Sequence, residues 1–209
     1  MPLQTILFDA DGVLQRPAVR WRHAFQRLLG FDAIRLDTFM RDVLAAELSV
    51  LCVSAGFEDR LATVLDRWNC SERLAEALRV LTAIEVYDDV MEAVQSLRHS
   101  GAACYLATNQ QAHRARHMSE VMGYRSLFDG EFYSCYLGVA KPDVEYFAAI
   151  LRGLRLPGQS VLFLDDVDVN VAAAREAGLL AAVYDGASGV SALRRLLIDC
   201  GLDATRFEL

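Results

Sequence analysis

Two aspartates, Asp9 and Asp11, stand one residue apart, directly after the apolar run Ile6-Leu7-Phe8 and directly before Gly12. A short apolar run of this kind reads as a buried strand. Side chains at i and i+2 of an extended segment point the same way, so both carboxylates can address one volume at the strand's C-terminal end. Open α/β sheets bind ligands at that end. One carboxylate can attack while the other moves a proton, and a divalent cation can offset their repulsion. Gly12 permits a tight turn without a Cβ penalty. An ordinary acidic turn uses the same residue types, so polar groups at other strand ends have to decide the matter.

Three further segments supply such groups. The apolar run Ala102 to Ala107 ends in Thr108-Asn109. A hydroxyl, an amide and the N–H groups of a helix start suit an anionic oxygen, and suit an ordinary helix cap equally well. Lys141 lies in Ala140-Lys141-Pro142-Asp143, an apolar-flanked turn before a helical pattern. Pro142 biases Lys141 away from α geometry, and the flanks favour an inward ammonium. The most apolar strand, Ser160 to Leu164, leads into Asp165-Asp166, with Asp168 and Asn170 beyond it. Adjacent carboxylates after a buried strand are costly unless something positive binds them. A hard divalent cation suits that demand, whereas Asp168 can also serve as the cap of the next helix.

The elements that must position these groups follow from periodicity. From Ala18 to about Ile84 the apolar spacing is helical, as in Trp21, Phe25 and Leu28 or Leu61, Leu65 and Trp68. Asp37 is expected to cap the second helix of this block and Ser71 to begin the fourth. Four consecutive helices can pack as a small bundle. Beyond Ile84, helices at Val90–Leu97, Gln111–Met122, Val144–Leu154, Val169–Ala177 and Val190–Cys200 alternate with strands at Ala102–Ala107, within Gly130–Tyr136, at Ser160–Leu164 and at Leu180–Tyr184. Such alternation predicts a parallel sheet covered on both faces. The expected fold is thus α/β, a Rossmann-like core of residues 1–17 and 85–209 with a helical cap, 18–84, inserted after strand one.

Taken together, the four polar segments resemble the signature of the haloacid dehalogenase-like hydrolase superfamily. Phe8-Asp9-Ala10-Asp11-Gly12-Val13-Leu14 is similar to its first motif, Thr108 to its second, Lys141 to its third, and Asp165-Asp166 with Asn170 to its fourth. The pattern also resembles the branch holding sugar-phosphate phosphatases and the phosphatase domain of epoxide hydrolases. The resemblance implies a Mg2+-dependent phosphomonoester hydrolase acting on a small phosphorylated metabolite, such as a sugar phosphate, through an aspartyl-phosphate. It implies Asp9 as nucleophile and Asp11 as acid and base. Thr108, Asn109 and Lys141 would hold the phosphoryl group. Asp9, the backbone carbonyl of Asp11 and Asp166 would hold Mg2+, with Asp165 as a further candidate and Asn170 orienting the loop. Dehalogenase members lack the second acid, so Asp11 favours phosphate chemistry. A phosphomutase of the same superfamily and a noncatalytic phosphate-dependent interaction domain are the alternatives.

Bulk properties set outer limits. The 209 residues are 54 % hydrophobic and 23 % charged, with a net charge of −7. Disorder is disfavoured, and so is nonspecific nucleic-acid binding, which needs a basic face. Cys52, Cys70, Cys104, Cys135 and Cys200 show no paired spacing and read as reduced thiols of a cytoplasmic protein. No signal peptide or membrane span is visible, and a monomer or homodimer is expected. His113 and His117 share a helix face without a third ligand and read as surface residues.

Overall fold

The computed structural model describes residues 5–202. Strand β1 (Thr5–Phe8) leads through the acidic turn into β2 (Gln15–Pro17). Helices α1 (Trp21–Leu29), α2 (Ala33–Leu48), α3 (Phe57–Arg67) and α4 (Leu74–Thr82) follow, and β3 (Ile84–Val86) closes the insert. Next come α5 (Asp88–His99), β4 (Ala103–Thr108), α6 (Ala112–Arg116), α7 (Tyr124–Leu127) and β5 (Gly130–Tyr133). The described residues end with α8 (Ser134–Leu137), α9 (Val144–Leu154), β6 (Val161–Asp165), α10 (Asp168–Glu176), β7 (Leu180–Val183) and α11 (Val190–Asp199).

Five strands form one parallel sheet in the order β5-β4-β1-β6-β7. The chain leaves β1 toward β4 and later returns to its other side as β6, so the order reverses at β1. That reversal opens the crevice at the C-terminal strand ends. Successive side chains of β1 and β6 turn to opposite faces, and all of them are buried. Ile6, Phe8, Cys104, Leu106, Leu162 and Leu164 share one cluster with Val90, Val94, Leu193 and Leu197 from α5 and α11. Leu7, Ala107, Val161 and Phe163 share another with Tyr146, Phe147 and Val171 from α9 and α10. A sheet covered on both faces needs apolar residues at consecutive positions, which is why β1 and β6 read as unbroken apolar runs.

The insert has a core of its own. Within it α1 packs on α2 and α4, and α3 on the same two helices, giving a four-helix arrangement. Phe39 packs edge-on against Phe25, Phe31 and Trp68 at centroid distances of 5.3, 5.8 and 5.7 Å. These rings and Leu36, Leu61, Leu65 and Leu81 form a cluster separate from the sheet. The block's root is an antiparallel ribbon that pairs Gln15 with Val86 and Pro17 with Ile84, with Arg16 joined to Glu85 at 3.1 Å.

Several local expectations are corrected. Two short strands that periodicity did not show, Gln15–Pro17 and Ile84–Val86, flank the helical block, because three-residue strands are too short to show a period of their own. Asp32, not Asp37, caps α2, accepting from the Arg35 N–H at 2.9 Å. Asp37 lies inside α2 and pairs with Arg22 of α1 at 2.8 Å. Ser71 opens a 3-10 turn, and the α-helix begins only at Leu74. The helix expected over Gln111–Met122 splits into α6 and a π-type turn, His117–Val121. Asp168 is the first residue of α10 and makes no side-chain cap.

Polar contacts join the block to the sheet's C-terminal end. Ser134 Oγ, just past β5, donates to Leu51 O at 2.8 Å. Glu58 of α3 meets His113 Nδ1 at 3.0 Å and Arg116 at 2.5 Å. His113 is therefore half-buried between the two parts rather than a free surface residue. Phe39 is fully buried among the rings of the insert. Replacing it with alanine is expected to cost about 3–5 kcal/mol. Urea unfolding followed by near-ultraviolet dichroism checks this, and a loss under 1 kcal/mol would contradict the packing.

Candidate active site

The site lies where β1, β4 and β6 end. Asp9 follows β1 and is held by its N–H to Leu164 O at 2.9 Å. Its carboxylate is 7 % exposed. Lys141 reaches it from the loop before α9, with Nζ 2.8 Å from Asp9 Oδ1 and 2.6 Å from Asp165 Oδ2. The same ammonium donates to Ala107 O at 3.2 Å. The Asn109 side chain fixes this loop, accepting from Lys141 N–H at 2.9 Å and donating to Lys141 O at 2.8 Å. Asn109 is thus committed to positioning Lys141. The Gln110 N–H, another expected oxyanion donor, is bonded to Ser134 Oγ at 3.0 Å.

Asp165 is fully buried and saturated. Besides Lys141 it accepts from Val167 N–H at 2.8 Å and from Asn170 Nδ2 at 3.1 and 3.0 Å. Asn170 therefore orients this carboxylate. Asp166, next in the chain, is exposed, and its carboxylate lies against Gly12. Gly12 has φ +89°, and a Cβ there would collide with Asp166, so both the backbone and the space require glycine. One oxygen from each of Asp9, Asp165 and Asp166 falls within a 4.8 Å cluster.

The charges around this cluster do not balance. Three carboxylates face one ammonium. Burial, above all, pushes the Asp9 carboxyl up to about 6, and Asp165 adds to the rise while Lys141 and the Thr108 hydroxyl oppose it. Burial and then Asp165 likewise raise Asp166. A hard dication with a taste for carboxylate oxygen fits this set, since it adds the missing positive charge without asking for nitrogen or sulfur.

Asp11 does not join them. β1 stops at Phe8, and the Ala10 carbonyl accepts from the N–H groups of Val13, Leu14 and Gln15. This tight turn breaks the extended geometry that the i, i+2 argument assumed. The Asp11 carboxylate instead receives Arg114 bidentately at 2.8 and 2.9 Å, with Gln15 at 2.9 Å and Gln110 at 2.8 Å. Burial pushes the carboxyl up, but Arg114 and the two glutamine side chains outweigh it and hold the group below its ordinary value. The two aspartates thus sit in opposite environments.

Sequence reasoning missed Gln15, Gln110, Gln111 and Arg114. Arg114 is 3 % exposed, and its guanidinium stands 5.1 Å from the centroid of Trp21 in α1. Gln111 caps α6, its Oε1 accepting from His113 and Arg114 N–H at 2.7 and 3.2 Å. Arg114 Nε, Gln111 Nε2 and Trp21 Nε1 are buried without a hydrogen-bond partner among the described residues. All five cysteines are unpaired, and burial raises the Cys104 thiol to about 12, which leaves it inert. No helix among the described residues is long and apolar enough to cross a membrane.

Bifunctional epoxide hydrolase 2 of Sus scrofa is 28 % identical over 86 % of this chain, which spans only 36 % of that protein. A sesquiterpene phosphatase of Aspergillus oryzae is 32 % identical over 42 % of the chain and 44 % of its own length. An enolase-phosphatase of Pseudomonas aeruginosa is 26 % identical over 86 % of this chain and 80 % of its own. Among solved structures, a HAD family enzyme of Bacteroides thetaiotaomicron, complexed with magnesium and inorganic phosphate, superposes with a TM-score of 0.71 at 19 % identity. That match covers 91 % of this chain and 98 % of the other. The family model for haloacid dehalogenase-like hydrolases matches residues 3–178, and the chain belongs to that family of hydrolases.

Proposed function

We propose that the chain is a Mg2+-dependent phosphomonoester hydrolase acting on a small phosphorylated metabolite through an aspartyl-phosphate. The observation that carries this reading is the buried Asp9–Lys141–Asp165 grouping with Asp166 beside it. Phosphatase names among the relatives support it. Mg2+ would be held by Asp9, Asp166 and the backbone carbonyl of Asp11, with Asp165 adjacent. When bound, it would supply positive charge toward the phosphoryl oxygens. In the same proposal residues 1–17 and 85–209 form the catalytic core, and 18–84 a mobile cap, of a cytoplasmic enzyme.

The chain's own residues then divide the work. An Asp9 oxygen attacks phosphorus as the ester P–O bond breaks. Lys141 and Thr108, already beside Asp9, hold equatorial oxygens. The departing alkoxide takes a proton from Asp11. Water then attacks phosphorus, Asp11 removes its proton, and Asp9 is released as carboxylate with inorganic phosphate. Asp11 rests ionised against Arg114, which suits the second step directly. The first step needs a proton on Asp11 and a looser grip from Arg114. Movement of Trp21, stacked on Arg114 from the cap, gives that loosening a route.

Asp9→Asn should abolish turnover of p-nitrophenyl phosphate, by at least about a thousandfold, because the amide is no nucleophile. Its effect on stability has a definite sign. Asp9 titrates near 6 in the fold, above an ordinary carboxylate value of 3.8. Metal-free stability from this group is therefore present at low pH and lost as pH rises through about 6. Mg2+ binds the ionised form, so its gain in Tm should be larger at pH 7 than at pH 5. At pH 7 without Mg2+, Asp9→Asn should melt no lower than the parent.

Asp11→Asn should behave in the opposite way. It leaves the Arg114 charge without its counter-ion. The Asp11 side chain is 34 % exposed, so solvent reduces the loss to about 1–3 kcal/mol. Because the folded pKa is depressed, this stabilisation exists above the ordinary carboxylate value and disappears as pH falls through the folded one. Turnover should drop most for esters with poor leaving groups. Equal melting of the two variants, or equal losses across leaving-group pKa when phosphorylation limits the rate, would contradict the division of roles.

Asp166→Ala should raise the Mg2+ concentration needed for half-maximal activity by at least about tenfold, with partial rescue at high Mg2+. An unchanged Mg2+ titration would remove Asp166 from the ligand set.

A further inference from the structure

The insert leaves an open cavity of about 300 Å3, lined by Trp21, Met40, Arg41, Val43, Leu44 and Glu47. Residues 40, 43, 44 and 47 recur at i, i+3, i+4 and i+7, so one face of α2 forms its wall. Two lining residues connect the cavity to the catalytic groups. Trp21 carries the Arg114 guanidinium against its ring, and that guanidinium grips Asp11. Glu47 lies in the field of both Arg114 and Asp11. Neither Lys141 nor Asp165 lines it. Asp11 does not line it either, but only the Trp21–Arg114 pair stands between, so the cavity lies toward the residue that meets the leaving alcohol rather than toward the groups that hold the phosphoryl oxygens.

Its lining is chemically selective. A thioether, two branched aliphatic chains and an indole face offer contact and desolvation but few hydrogen bonds. Sugar hydroxyls lodged among Met40, Val43 and Leu44 would lose water without replacement partners. Leu44 remains 51 % exposed at this wall, an apolar side chain with its surface uncovered. The space equals roughly ten waters at about 30 Å3 each, enough for a short alkyl chain or a small ring system. Polar capacity is limited to Arg41 and Glu47.

Resting on the reading of Asp9 as phosphoryl acceptor, we propose that this cavity seats the body of the leaving alcohol. The preferred substrates are then phosphomonoesters of alcohols with an apolar body, rather than sugar phosphates. Burying a methylene favours binding about fourfold at most, so selectivity should climb with chain length until the cavity is filled.

The test measures kcat/KM for butyl, hexyl and octyl phosphate and for glucose 6-phosphate at saturating Mg2+. Octyl phosphate should exceed butyl phosphate by at least about tenfold and exceed glucose 6-phosphate as well. Leu44→Glu, at a half-exposed position that the fold tolerates, should flatten the chain-length slope. Ile34→Glu, 83 % exposed on the same helix and outside the cavity, should keep it. A flat series in an enzyme that turns over all these esters would overturn the pocket assignment while leaving the phosphatase reading intact. Glucose 6-phosphate as the best substrate would do the same. Absence of Mg2+-dependent turnover of every ester would remove the phosphatase reading, and the assignment with it.

Discussion

The site depends on one buried ammonium. Lys141 Nζ sits between Asp9 and Asp165, and neither carboxylate is tolerable in the core without it. Much of the surrounding structure serves this contact. Parallel pairing of β1 with β6 brings the two aspartates to the same level of the sheet. Asn109, at the end of β4, grips both backbone groups of Lys141 and so aims the side chain across the strand ends. Asn170 and the Val167 N–H satisfy the oxygens of Asp165 that the lysine leaves free. Yet one ammonium against three carboxylates is an incomplete arrangement, and the raised value of Asp9 records that deficit. The same imbalance that destabilises the metal-free fold prepares it for a cation.

Asp11 belongs to a second electrostatic unit a few residues away. Its four side-chain hydrogen bonds help to hold its pKa down, where burial pushes that of Asp9 up. Two carboxylates on one turn are thus set apart by their surroundings, which is what acid–base chemistry beside a nucleophile requires. Arg114 is the pivot. It binds Asp11 on one side and stacks on Trp21 of the insert on the other, so the state of Asp11 is tied to where the insert sits.

The legible part of this structure was the part written locally. The runs ending in Asp9, Thr108 and Asp165 each combine a buried strand with a polar residue, and the strands fall within a residue or two of expectation. The helix Val144–Leu154 was legible to the residue because Asp143 caps it and its apolar face is regular. What was not legible depends on tertiary contact. The ribbon of β2 and β3 exists only because the two ends of the insert meet. The direction of Asp11 is set by a turn closed on the Ala10 carbonyl, which a strand pattern cannot show. Arg114 lies among His113, Arg116 and His117 and so resembles a solvated basic face. Only the flanking Ala112 and Ala115, both buried, mark its side of the helix as inward. A carboxylate at a strand end demands a cation, but nothing local to Asp11 singles out the arginine, 103 residues on, that answers it.

The separation of apolar clusters would let the proposed cap move without the fold yielding. Its own core of Phe25, Phe39, Trp68 and Leu61 closes on itself, and the sheet has two clusters elsewhere. Between them run a three-residue ribbon, the Glu58 pairs with His113 and Arg116, the Ser134–Leu51 bond and the Trp21–Arg114 stack. Partly exposed ion pairs are each worth little, because water replaces them when they part. Opening the insert would sacrifice such polar contacts, while each apolar cluster keeps its own members together. The one costly contact is Trp21 on Arg114, since it shields the guanidinium that holds Asp11. In the proposed mechanism, closure of the insert and the charge state of Asp11 would both act through this pair of side chains.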